Sequence, residues 1–287
     1  IEKTQSAYTR ARSCVDVTYT LRRIMEDYRV IQGKVAGQRA DPENDLYLLF
    51  VDFSKAFDTV PRKVLWYLLQ HKYHVPERPL DLLRKLHTGT TAKVTYKGRL
   101  DTDFFKIEVG TMQGAVTAAI LWNIYLNSVM QTWKMRIGRE SGVTVSYHVD
   151  GKLRTVKECD DKVGGRRVRI KELVFADDCT LLSHGRKNFD KMVREFAIVT
   201  DDFGLRMNLK RNKTTAMRVG KLKQSSGSGD FFIREQAEHE EIPLTVMQDG
   251  KETIIHWENK VKHLGSTIAN DETLGVQFDL RKRLRNS

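Results

Sequence analysis

The chain is poor in the residues that build metal knuckles or disulfide frameworks. Its three cysteines, Cys14, Cys159 and Cys179, are odd in number and far apart. Neither they nor the eight histidines form a Cys-x2-Cys or His-x3-His pattern. That spacing excludes an ordinary zinc site and makes reduced thiols in an intracellular protein the expectation. No apolar run reaches the roughly 18 residues of a membrane span, so no membrane partner is expected. Ile1 is not followed by a basic-then-apolar leader, so no secretory signal is expected either. The missing initiator methionine points to a piece of something longer. No internal repeat is visible. Acidic residues are also in deficit: 37 Asp and Glu against 49 Lys and Arg leave a net charge of +12. An excess of that size points to a polyanionic partner, most simply nucleic acid, bound in a way that weakens steeply with salt.

What is present fits a soluble globular protein: 40% hydrophobic and 30% charged over 287 residues. That length buries a substantial core, as one large domain or two intimate subdomains. Val17, Leu21, Ile24, Tyr28 and Ile31 recur at helical spacing, and a polar loop over residues 33–45 leads to an apolar strand at 46–51. Pro61 opens a helix with Val64, Leu65, Leu68 and Leu69 on one face. A second helix is expected at 80–86, and a hairpin with arms at 92–96 and 104–109. Residues 118–130 read as a helix too apolar for the surface. The polar, basic stretch 135–171 reads as irregular strands. Phe189, Met192, Val193, Phe196, Val199 and Phe203 mark an amphipathic helix. Gln224-Ser-Ser-Gly-Ser-Gly229 reads as a flexible joint, with strands expected at 253–257 and 261–264.

The chemistry concentrates at Phe175-Ala-Asp-Asp178. Leu173, Val174 and Phe175 read as one short strand, and Cys179, Thr180, Leu181 and Leu182 as the next. Adjacent carboxylates at a turn between apolar strands repel unless a cation neutralises them. A third carboxylate, Asp52, follows the apolar run Leu48-Leu-Phe-Val51. Three acidic side chains on strand ends suit a two-metal nucleotidyl-transfer centre.

The text around these residues resembles the reverse transcriptases, in the form carried by non-LTR (LINE-type) retrotransposons. Phe50-Val-Asp-Phe-Ser-Lys-Ala-Phe-Asp-Thr-Val-Pro-Arg62 looks like their first palm motif. Gly110-Thr-Met-Gln-Gly114 with Leu121-Trp-Asn-Ile-Tyr-Leu126 is similar to the second, and Phe-Ala-Asp-Asp to the third. Gly204-Leu-Arg-Met-Asn208 with Asn212-Lys-Thr214 resembles the fourth, and His263-Leu-Gly-Ser-Thr267 the fifth. Upstream, Gln5-Ser-Ala-Tyr-Thr-Arg-Ala-Arg-Ser13 looks like a degraded finger motif.

The resemblance implies an α+β polymerase palm, an antiparallel sheet backed by helices, with partial fingers. It implies RNA-directed DNA polymerase activity on an RNA template, a DNA primer and deoxynucleoside triphosphates, inside the cell in nucleus or cytoplasm. Asp52, Asp177 and Asp178 would hold Mg2+, with Mn2+ as a substitute. Lys213 would donate a proton to pyrophosphate or clamp phosphate. The Phe53 carbonyl, Phe57, Gln113, Gly114 and Arg12 would meet the nucleotide, with Phe57 as the ring that excludes a 2′-hydroxyl. His263, Leu264 and Gly265 would form the turn that grips the primer. Lys55 and Asp58 match the pattern and read as structural or salt-bridged. The implied division is 1–45 fingers, 46–74 palm, 75–109 fingers and palm hairpin, 110–223 palm, 224–230 joint, and 231–287 palm end. The family's thumb would lie beyond Ser287 and its endonuclease before Ile1.

The chain also departs from the family pattern. Ala7-Tyr-Thr-Arg-Ala-Arg12 stands where the family has Gly-Phe-Arg-x-Gly-Arg, and Ala118-Ala119 where it has Ser-Pro ahead of a helix. Met112 replaces a usual Arg. These changes support a second reading, a catalytically impaired or domesticated descendant that binds nucleic acid. A viral RNA-copying polymerase and a group II intron-type enzyme are the further alternatives.

Overall fold

The computed structural model describes residues 5–33, 42–96, 99–100, 103–112, 114–147, 153–154, 166–219 and 243–270. Helix α1, Cys14–Gly33, is entered through a capping box. The Ser13 N–H donates to Asp16 Oδ2 at 2.7 Å and the Asp16 N–H faces Ser13 Oγ at 3.4 Å, satisfying two donors at the helix start. Strand β1 is Leu46–Val51, and α2, Arg62–Tyr67, runs on into a π-helical turn, Leu68–Lys72. Then come α3, Glu77–His87, and the short strands β2 (Thr91–Ala92), β3 (Thr95–Tyr96), β4 (Arg99–Leu100) and β5 (Phe105–Lys106). Helix α4 spans Val116–Ile137. Strands β6 (Val143–Tyr147), β7 (Leu153–Arg154) and β8 (Arg166–Ile170) precede the hairpin β9 (Glu172–Phe175) and β10 (Asp178–His184). Helix α5, Arg186–Asp202, and β11, Thr215–Val219, follow. The last described strands are β12 (Leu244–Gln248), β13 (Lys251–Trp257), β14 (Lys260–His263) and β15 (Ser266–Ala269).

The fold is α+β. Its centre is a six-stranded sheet in the order β12-β13-β11-β1-β10-β9, antiparallel except where β11 meets β13. Strand β1 lies in the middle and every one of its residues is buried. That explains why it reads as an unbroken apolar run rather than an alternation: a strand covered on both faces needs apolar residues at both parities. Tyr47, Leu49 and Val51 face a core shared with Leu65, α4 and α5. Leu46, Leu48 and Phe50 face a second core, with Leu21, Ile24 and Met25 of α1 and Ile268 of β15.

Helix α4 buries Leu121, Trp122, Tyr125, Leu126, Val129, Met130, Trp133 and Ile137 at three- and four-residue spacing. It begins at Val116, ahead of the expected 118, and no side chain caps it. Burial of the helix, not a start signal, sets that end. Residues 143–147 and 166–170 form regular paired strands, not irregular ones, because β6 and β8 bond along five residue pairs. The hairpin after α3 is split into β2–β5 and β3–β4, and its return arm starts at Arg99, ahead of the expected 104. Strand β12 was not expected from the sequence. The joint at 224–229 lies outside the described residues.

Candidate functional site

Strand register assembles the site. Asp178 pairs with Phe175, which leaves Ala176 and Asp177 as a two-residue hairpin loop. On the other side of β10, Val51 pairs with Cys179. The ladder ends at that pair, with Asp52 next after Val51 and Asp178 just before Cys179, and the Asp178 carboxyl feels the charges of both Asp177 and Asp52. The three carboxylates therefore gather at one end of the two central strands.

The chain between α5 and β11 wraps the other flank of Asp52. The Asn208 N–H donates to the Asp52 carbonyl at 2.7 Å, and Ser54 N–H to the Arg206 carbonyl at 2.9 Å. The Asp52 carboxylate accepts from Asn208 Nδ2 at 2.9 Å and lies 3.5 Å from Lys213 Nζ. Thr214 Oγ1 meets both the N–H and the carbonyl of Asp52 at 3.2 Å. Lys213 is half-exposed, so its pair with Asp52 contributes under about 1 kcal/mol. Asn208 holds the carboxylate, yet sequence reasoning gave it no role. The signal was its place in the fourth motif.

Phe53 and Met207 form an antiparallel bridge whose flanking bonds belong to Asp52 and Ser54. Alternation along the strand then directs the Phe53 carbonyl to the flank where β10 lies. The Phe53 ring itself is buried against Trp122 and Phe196.

Electrostatics reports the crowding of charge. Asp178 is pushed up to about 6, first by burial and then by the charges of Asp177 and Asp52. Among the described residues no three His, Cys, Asp or Glu side chains are spaced to ligate one ion as they stand. The donor set nonetheless fits a hard divalent cation. It consists of hard carboxylate oxygens, and the mutual repulsion that raises the Asp178 carboxyl is what a bound cation would relieve.

The first and second motifs are docked onto each other. The Gly110 N–H donates to the Val60 carbonyl at 2.9 Å and the Thr111 N–H to the Phe57 carbonyl at 2.8 Å. Gly110, at φ +82°, lies so close that a Cβ there would sit 2.7 Å from the Asp58 carbonyl oxygen. Arg62 fastens the same junction, donating to the carbonyls of Gly110, His87 and Ile107 at 2.8, 2.6 and 2.8 Å. Among the described residues neither Lys55 nor Asp58 makes an ion pair, which corrects the salt-bridged half of that expectation. Their backbones build the turn instead, with Asp58 N–H donating to the Lys55 carbonyl at 2.9 Å.

Phe57 is half-buried with its ring 5.1 Å from that of Trp122. Gly114 has φ +87° and open space around an added Cβ. Gln113 lies outside the described residues. Arg12 is exposed, one residue after Ala11, which holds the left-handed φ of 59° where the family carries glycine. Leu264 and Gly265, both at positive φ, form the tight turn between β14 and β15. The His263 ring points inward, 5% exposed, with Nε2 3.1 Å from Thr180 Oγ1. The imidazole is therefore committed to the core, while Leu264 and Gly265 make the outer corner of the turn.

Among the described residues no helix is long and apolar enough to cross a membrane. No curated protein matches the chain. Two of the solved structures that resemble it are telomerases. One is telomerase from Candida albicans in complex with a TWJ fragment of telomeric RNA, at 14% identity and TM-score 0.46, covering 77% of this chain and 32% of that one. The other is apo telomerase from Candida tropicalis truncated from its C-terminal domain, at 13% identity and TM-score 0.46, covering 80% and 38%. The chain thus spans about a third of the length of these telomerases. Residues 1–268 match the family described as reverse transcriptase (RNA-dependent DNA polymerase), and the chain belongs to that family.

Proposed function

We propose that the chain is the fingers-and-palm core of an RNA-directed DNA polymerase of a non-LTR retroelement, extending a DNA primer on an RNA template inside the cell. The observation that carries this reading is the pairing of β1 with β10, which brings the charges of Asp52 and Asp177 to bear on Asp178. Mg2+, or Mn2+ in its place, would be held by Asp52, Asp177 and Asp178, and supplies activation of the primer 3′-hydroxyl and charge stabilisation at the leaving pyrophosphate. Asn208 keeps the Asp52 carboxylate aimed at the site. The Phe57 ring, braced by Trp122, walls the floor under the incoming sugar and rejects a 2′-hydroxyl. Gly114 lets backbone approach the nucleotide. Lys213 is close enough to the carboxylates to hand a proton to departing pyrophosphate. Leu264 and Gly265 present the backbone of their turn to the primer, and the net charge of +12 holds the nucleic-acid phosphates.

A weakened, nucleic-acid-binding descendant is the second reading. It is favoured by Ala7 and Ala11 at the glycine positions and by the exposure of Arg12. Primer extension on an RNA template with Mg2+ separates the two. The parent extends, and Asp177→Asn lowers the rate on the order of 10³-fold, because several kcal/mol of transition-state charge stabilisation is lost. Template binding without extension, equal in parent and variant, would select the second reading.

A further inference from the structure

The loop that carries Asp177 has an unusual feature. Ala176, its first residue, holds φ 57°, where a Cβ crowds the following carbonyl and glycine is at home. Something outside the hairpin must keep it there. The Ala176 N–H donates to Gln5 Oε1 at 3.2 Å, and the Ala176 carbonyl accepts from Trp122 Nε1 at 3.1 Å and Gln5 Nε2 at 3.4 Å. Both backbone polar groups of the strained residue are thus held by side chains distant in sequence.

Gln5 is built into its place. It is 7% exposed, and its segment runs beside β9, with a parallel bridge to Val174 and the Ser6 N–H on the Val174 carbonyl at 2.9 Å. Oε1 also accepts the Ala7 N–H at 2.9 Å, while Nε2 donates to Asn123 Oδ1 at 3.1 Å. Asn123 Nδ2 in turn donates to the Ala7 carbonyl at 3.2 Å. A flipped amide would set NH2 against two N–H donors, so only one orientation satisfies the network.

We infer that Gln5 is a positioning residue: its amide, with Trp122, locks the Ala176 turn and so fixes where the Asp177 and Asp178 carboxylates stand. The inference rests on the polymerase reading for its catalytic consequence, not for its structural one. A buried Gln that only filled space would stabilise the whole fold without governing this loop in particular.

The test uses the full 287-residue chain. Gln5→Leu keeps the bulk and removes the amide. Hydrogen exchange of residues 173–180 is expected to speed up roughly tenfold, with residues 189–199 unchanged. Adding Ala176→Gly, which removes the Cβ penalty at positive φ, restores most of that protection. In primer extension, Gln5→Leu lowers kcat about 10- to 100-fold with the deoxynucleotide KM within about twofold, and Ala176→Gly recovers part of the loss. Loop exchange equal to the parent's, a uniform rise across the chain, or no recovery with Ala176→Gly overturns the inference. A parent that extends no primer counts against the polymerase reading alone, because the exchange measurements still decide the role of Gln5.

Discussion

Acid should loosen this protein through His263, and the size of the effect follows from its surroundings. The imidazole is sealed between Thr180 and Phe50, with Phe50's ring 5.2 Å away. Burial lowers its pKa from 6.5 to about 4. Because the folded state refuses a proton that the unfolded chain accepts, stability is fully present above about pH 6.5 and is lost as pH falls toward 4. At pH 5 the unfolded imidazole is about 97% charged and the folded one about 10%, which costs about 2 kcal/mol. Asp178 works in the opposite direction. Its raised pKa lets the folded state hold a proton more tightly, so it adds stability as pH falls through about 6. The raw curve therefore mixes both. The comparison that isolates the histidine is His263→Gln against the parent, by urea unfolding followed through tryptophan fluorescence. Between pH 7.5 and pH 5 the parent should lose about 2 kcal/mol more than the variant. Nucleic-acid affinity at pH 7.5 should stay within about twofold, because the ring faces the core. Parallel stability curves for the two proteins would refute the burial argument, and a large loss of affinity at pH 7.5 would return the imidazole to the primer.

Two further outcomes follow from the docked first and second motifs. Phe57→Val removes the ring that rests on Trp122; ribonucleotide incorporation relative to deoxynucleotide should rise about tenfold, and an unchanged ratio in single-nucleotide extension would reject the gate. Gly110→Ala and Gly114→Ala separate space from backbone strain. Both glycines sit at positive φ, but only Gly110 has backbone at 2.7 Å from an added Cβ. Gly110→Ala should cost more than about 2 kcal/mol, and Gly114→Ala about 1 kcal/mol, in urea unfolding. Equal costs would show that the Gly110–Asp58 contact yields easily.

Whatever depends on neighbours in sequence was readable from the chain alone. The apolar run 46–51, the two strands around Asp177, the spacing along α4 and α5, and the ordered motifs all express local periodicity, which a residue's nearest neighbours set. Even there the ends moved: α4 starts without a cap because packing of Trp122 and Tyr125 holds it. Contacts between remote segments were not readable. Placing Asp52 beside Asp178 took the pairing of β1 with β10, and a slip of one residue would have turned the carboxylate to the other face. The grip of Asn208 on Asp52, the three carbonyls on Arg62 and the inward turn of His263 are decided the same way. A side chain's partner is whatever the closed sheet and its two cores bring within hydrogen-bond reach, and that proximity exists only once the chain has folded.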